Sequence, residues 1–190
     1  MSNIRTFIAI EISPDVRGKA AALIKRLRES EAKTSWTRPE NMHLTLKFLG
    51  DTPDPLLPDV CRAVEKAVQD MEPFMVSFRQ VGAFPRHEHP RTVWIGVEQG
   101  LEQLRQMQQR IEDELYEAGF QRERRKFMPH LTVGRVREGG SSMHLLGEMI
   151  LENRDFVGGE VIVEDVIVFA SFREPEGPTH QVVGHAELLG

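Results

Sequence analysis

Apolar and polar positions fall into alternating blocks of period two and period 3.6 along the chain. Residues 6–12 (Thr-Phe-Ile-Ala-Ile-Glu-Ile) form a short apolar, β-branched run, which predicts a strand. Ser13-Pro14-Asp15 then reads as a helix start, with Ser13 as N-cap and Pro14 in the first helical position. Ala20, Leu23, Ile24 and Leu27 recur at helical spacing, so the helix is expected from about 14 to 30. Trp36 to Glu40 reads as a proline-containing loop and His43 to Leu49 as a strand. A second helix is expected within 53–71, on Val60, Ala63, Val64, Ala67 and Val68. Phe74 to Val81 predicts a strand, 82–90 a polar loop bounded by prolines, and Thr92 to Glu98 a strand. Residues 101–118 carry Leu101, Leu104, Met107, Ile111 and Leu115 on one helical stripe, closed by Gly119 just past the end. A loop or short strand over 120–126, a strand over 131–136, a weaker helix over 141–153, and strands over 161–172 and 181–188 complete the pattern.

The pattern repeats. Strand, helix, loop and strand over 7–49 match the same series over 93–136, and the corresponding steps are nearly equal. Phe7 to His43 spans 36 positions and Val93 to His130 spans 37. The expected architecture is a single bilobal α+β domain over 1–190, with pseudo-repeat halves of about 1–90 and 91–190. The likeness between the halves lies in pattern more than in letters, except at one station. There the chain reads His43-Leu44-Thr45-Leu46 and, in the second copy, His130-Leu131-Thr132-Val133.

Strand side chains alternate faces, so His43 and Thr45 share one face, as do His130 and Thr132, while the apolar neighbours face the core. Parity also puts Lys47 on the His43–Thr45 face. Two such strands related by a pseudo-twofold bring two imidazoles and two hydroxyls into one cleft. That set suits displacement at phosphorus. A base activates the incoming oxygen, an acid protonates the leaving one, and histidine serves either role near its ordinary pKa of about 6.5. The hydroxyls can donate to the non-bridging oxygens. The scheme needs no metal and no cofactor. One His-x-Thr is a weak signal; two copies at equivalent stations of a repeat are a strong one.

Composition narrows the partners. Lys and Arg total 24 and Asp and Glu 29, a net charge of −5, so any contact with RNA or DNA must come from a local basic patch. Arg122, Arg124, Arg125 and Lys126, just upstream of His130, are the candidate; a solvated loop is the competing reading. A base could stack on Phe7, Trp36, Phe48 or Phe84, unless these are core. His87-x-His89 has no nearby Asp or Cys and reads as an exposed loop pair rather than a metal site. Cys61, the single cysteine, reads as a packing residue and cannot form an internal disulfide. His144, His180 and His185 lack partner motifs. The N-terminal apolar run is too short for a secretory leader, and no stretch approaches the roughly 18 apolar residues of a membrane span. A cytoplasmic monomer without membrane attachment is the expectation.

The chain resembles the RNA 2′,3′-cyclic phosphodiesterases of bacteria and archaea, also called 2′-5′ RNA ligases, of the two-histidine phosphoesterase superfamily. The resemblance rests on Arg5 to Ile10, on Trp36 to Gly50 with its His43-Leu44-Thr45-Leu46, on Gly82-Ala83-Phe84-Pro85, and on Pro129-His130-Leu131-Thr132-Val133-Gly134-Arg135. It implies two antiparallel sheets facing a central cleft with helices outside. It also implies hydrolysis of a terminal 2′,3′-cyclic phosphate on RNA to a 2′-phosphomonoester. His43 would be the proton donor and His130 the acceptor, although the sequence itself does not rank them. Thr45, Thr132 and Arg135 would bind the phosphate. Regular alternation sets Arg135 opposite to His130, so a bend near Gly134 is required. Small cyclic nucleotides or 2′-5′-linked oligonucleotides, with reversible ligation, are the alternative substrates, and a non-catalytic RNA-end module is a third reading. Two intact histidines weigh against that third one.

Overall fold

The computed structural model describes residues 2–190. The elements are β1 (Asn3–Glu11), α1 (Pro14–Leu27), β2 (Thr34–Trp36), β3 (His43–Pro53), α2 (Leu57–Val68), β4 (Phe74–Arg86), β5 (His89–Val97) and α3 (Leu101–Glu117). β6 (His130–Val136), α4 (Ser141–Glu152), β7 (Val157–Val163), β8 (Asp165–Glu174) and β9 (Gly177–Glu187) follow. Local chemistry explains the helix ends. The Ser13 hydroxyl accepts from the Val16 amide at 3.2 Å, capping α1 with Pro14 in its first turn. A short 3₁₀ turn, Arg28–Ser30, extends α1 to the expected limit. Gly119, with φ +94°, follows α3 in the left-handed conformation that a side chain resists.

All strand pairs are antiparallel, in the order β7-β4-β5-β6-β3-β1-β8-β9, with β2 added on β6. Two four-stranded wings, β9-β8-β1-β3 and β6-β5-β4-β7, meet at one residue pair, Leu44 opposite Leu131. The two expected sheets are therefore joined into one at that hinge. The helices cover one face. α2 packs on β8, β9 and α3, while α1 lies on β7 and α4 on β4 and β5. The main core fills the space between, from Ile8 and Ile10 to Val93, Ile95, Leu131 and Val133. The other face carries a separate small cluster, Phe7, Ala9, Ile167 and Phe169. No helix among the described residues is long and apolar enough to cross a membrane.

Three expectations on local structure change. Residues 82–90 form the end of a hairpin, with Pro85 opposite Pro90, a turn at His87-Glu88 and a register slip between Phe84 and Pro85, an irregularity at which prolines are tolerated. Residues 34–36 are a short strand on β6. The run 161–172 is two strands, divided at Glu164. β7 pairs with β4 in one wing and β8 with β1 in the other. The segment reads as one strand because apolar, β-branched residues stand on both sides of the break; the charged pair Glu164-Asp165 is what marks the change of wing.

Candidate active site

The two His-x-Thr segments lie side by side, antiparallel, at the hinge between the wings. Leu44 and Leu131 pair and are fully buried. Their neighbours His43, Thr45, His130 and Thr132 take the opposite, helix-free face by alternation. Extending the register by one sets His43 against Thr132 and Thr45 against His130, so the imidazoles are diagonal neighbours. Diagonal partners stand about 7–8 Å apart, a gap that one phosphate with a hydrogen bond at each side can span.

Both motifs end in a β-bulge at the same station. In β3, Thr45 opposes Ala9 and Lys47 opposes Ile8, leaving Leu46 as the extra residue. In β6, Thr132 opposes Trp94 and Gly134 opposes Val93, leaving Val133 extra. Each bulge reverses the alternation beyond it. The burial sequence from His43 to Phe48 accordingly repeats from His130 to Arg135, with two consecutive buried residues at each bulge. Thr37 braces the second bulge, its amide donating to the Val133 carbonyl at 2.9 Å and its hydroxyl to the Thr132 carbonyl at 3.2 Å.

The bulges move two side chains across the sheet. Arg135, opposite Thr92, comes to the His130 face; the bend that the sequence required is the Val133 bulge. Lys47 goes the other way. Parity had set it beside His43 and Thr45, but it is buried on the core face, 2.7 Å from the Glu112 carboxylate and 3.1 Å from the Gln121 carbonyl. Phe48 takes the station corresponding to Arg135 and is 66% exposed.

The two imidazoles differ in backbone support and share an aromatic backing. His130 Nδ1 meets the Met128 carbonyl at 2.6 Å, two residues upstream. The carbonyl of Asn41, two residues upstream of His43, favours the charged form of that ring, but Nδ1 makes no hydrogen bond with it. A carbonyl only accepts, so Nδ1 of His130 carries the proton and Nε2 is left for other partners. A phenylalanine backs each ring. Phe169 lies 4.4 Å from His43 and Phe84 5.1 Å edge-on from His130, centroid to centroid. Burial, then the neighbouring His180 ring, hold His43 down to about 4. Burial also lowers His130, with Arg135 adding to the effect.

Trp94 lies over Gly82, where any β-carbon would collide with its ring, and beside Gly96, where one would press on the ring and collide with the Arg79 carbonyl. Phe84 stands 5.3 Å from it. Among the aromatic stacking candidates, Phe7 is buried in the small front cluster, while Trp36 packs against the main core and over Gly134. In the basic run, Arg122 is bound to Asp113 at 2.7 Å and Arg125 to Glu123 at 3.5 Å. Among the described residues Arg124 and Lys126 have no ion pair. His87 sits in the hairpin turn beside Glu88, at 3.4 Å. No three His, Cys, Asp or Glu side chains converge among the described residues. Two residues the sequence left unassigned join the site, Phe169 and His180. The alternation of the last two strands gives their faces, but only the pairing of β8 with β1 carries them to His43.

A hinged antiparallel sheet with a His-x-Thr on each side of the hinge defines the two-histidine phosphoesterase class, and the protein is an enzyme of that class. The family comparison is specific. The sequence model of the 2′-5′ RNA ligase superfamily matches residues 14–168, and the chain belongs to that superfamily. It is 32% identical over 187 residues to the RNA 2′,3′-cyclic phosphodiesterase of Thermotoga maritima, covering 98% of this chain and 97% of that one. It is 33% identical over 177 residues to the protein of the same name from Methanothermobacter thermautotrophicus, covering 93% and 95%. Among solved structures, TT0787 of Thermus thermophilus superposes with a TM-score of 0.79 at 24% identity, covering 98% and 99% of the two chains. E. coli LigT with 3′-AMP superposes with 0.80 at 20% identity, covering 99% of each.

Proposed function

We infer that the chain hydrolyses the 2′,3′-cyclic phosphate at an RNA 3′ end to a 2′-phosphomonoester, with two imidazoles and no metal. The observation that carries this reading is the pair of identical His-x-Thr-bulge segments set antiparallel at one hinge. The names of the relatives point to the same substrate. In the cycle, His130 accepts a proton from water as the water oxygen bonds to phosphorus. The bond from phosphorus to the 3′-oxygen breaks, and His43 gives that oxygen its proton. The products are a 2′-phosphate and a 3′-hydroxyl, with the proton now on His130; exchange with solvent resets the pair. Thr45, Thr132 and Arg135 donate to the non-bridging oxygens, where charge must be held. Arg124 and Lys126 supply local positive charge for the RNA chain.

Incubation with an oligonucleotide ending in a 2′,3′-cyclic phosphate, with EDTA present, is expected to yield only the 2′-phosphate, read by phosphorus NMR. A 3′-phosphate product overturns the reading, as does loss of activity in EDTA restored by added metal.

The lowered pKa values fix the expected pH dependence. Both rings are neutral in the free protein at pH 7, because each titrates below the ordinary value of about 6.5. The state with one proton shared by the pair therefore forms on the acid side of 6.5. kcat/KM, which reports the free enzyme, should be bell-shaped with its maximum below about pH 6.5. kcat should peak higher, because a bound diester anion favours the imidazolium. A kcat/KM maximum above pH 8 would contradict this.

A further inference from the structure

His180 belongs to no motif, yet its ring stands in the site. It lies opposite Ser171 across the β8–β9 pair, which by alternation puts it on the face that carries Phe169 and Phe7. Its centroid is 5.4 Å from His43, 4.9 Å edge-on from Phe7 and 6.1 Å from Phe169. Nδ1 is buried without a hydrogen-bond partner. The contrast with the other front-face imidazole of β9 is direct, since His185 is held by Asp165 at 3.0 Å. It also differs from His130, whose tautomer is set by a backbone carbonyl. With no such partner, the His180 ring is free to present its other nitrogen as donor or acceptor.

The surroundings say what it meets. In the function inferred above the phosphate shared by His43 and His130 falls over β3 and β6, and His180, on β9, lies beyond His43 on the far side from β6. Phe7, Ala9, Ile167 and Phe169 form a buried bed beneath the two rings, and Phe48, beside Phe7, is the exposed aromatic surface. The exposed Phe48 ring suits the face of a nucleobase and the carbon side of a ribose, not a second phosphate. Burial also holds His180 below its ordinary pKa, so the ring is neutral at pH 7 and adds no charge.

We propose that His180 is a specificity-determining residue that hydrogen-bonds the nucleoside bearing the cyclic phosphate, a role that rests on the function inferred above. In the intact chain, His180→Ala should raise KM for adenosine 2′,3′-cyclic phosphate by about 3- to 10-fold, the loss of one neutral hydrogen bond. His180→Gln, which keeps a donor and an acceptor, should recover part of that loss. A fall in kcat at unchanged KM, or no change in either, overturns the proposal. Calorimetry reads the same contact without turnover, so it decides even if the cyclic phosphate proves not to be hydrolysed. His180→Ala and His180→Gln should weaken 2′-AMP unequally, alanine more, and leave inorganic phosphate unchanged. Equal weakening of both ligands, or of neither, overturns the assignment.

Discussion

Replacing His43 or His130 by alanine is expected to cut turnover by about 10²–10⁴-fold while the fold persists, because each removes one positioned proton transfer. Both rings stand on the helix-free face, outside the main core, so truncation opens no large interior void. The two act on one displacement, and their losses should not multiply. The double variant is expected to be no slower than the worse single variant by more than a small factor. The checks are kcat on the cyclic-phosphate oligonucleotide, and a thermal melt of each variant. A single variant that keeps a near-normal rate removes that ring from the chemistry.

The second large effect is on stability. Lys47→Ala is expected to destabilise the protein by about 3–5 kcal/mol, measured by urea unfolding, because it leaves the Glu112 carboxylate buried without its cation. The pair is 2.7 Å apart, with only 4% and 7% of the two side chains exposed. Glu112 also accepts from the Glu123 amide at 3.2 Å, so the pair ties β3 to α3 and to the loop that leads into His130. Replacing both partners by apolar residues, Lys47→Met with Glu112→Leu, should recover most of the loss, since the charge and its counter-charge leave together. A change below about 1 kcal/mol for Lys47→Ala would show that the pair is not the buried cross-link described.

These two sites also show what the residue pattern could and could not convey. The imidazoles were legible because i and i+2 on a strand share a face whatever the strand's partners are. That rule fails at a bulge; Gly134 marks the one in β6, but no residue beside Leu46 marks the one in β3. The same event therefore misplaced Lys47, which parity put beside His43. It also supplied the bend that Arg135 needed. The hairpin at 82–90 was hidden by its prolines, and the change of wing at Glu164-Asp165 by the β-branched residues on both sides of that charged pair. Phe169 and His180 come to His43 through strand pairing across more than a hundred residues, which no local period encodes. Helix positions needed none of this. The caps at Ser13 and Gly119 and the stripes of α1, α2 and α3 follow from nearest neighbours alone.

The most direct test is a crystal structure of the protein with inorganic phosphate bound at the hinge. Nε2 of His43 and Nε2 of His130 should each lie about 2.6–3.2 Å from different oxygens of the same phosphate. A phosphate held by one ring alone, or two phosphates each held by its own ring, would contradict a shared displacement by the pair.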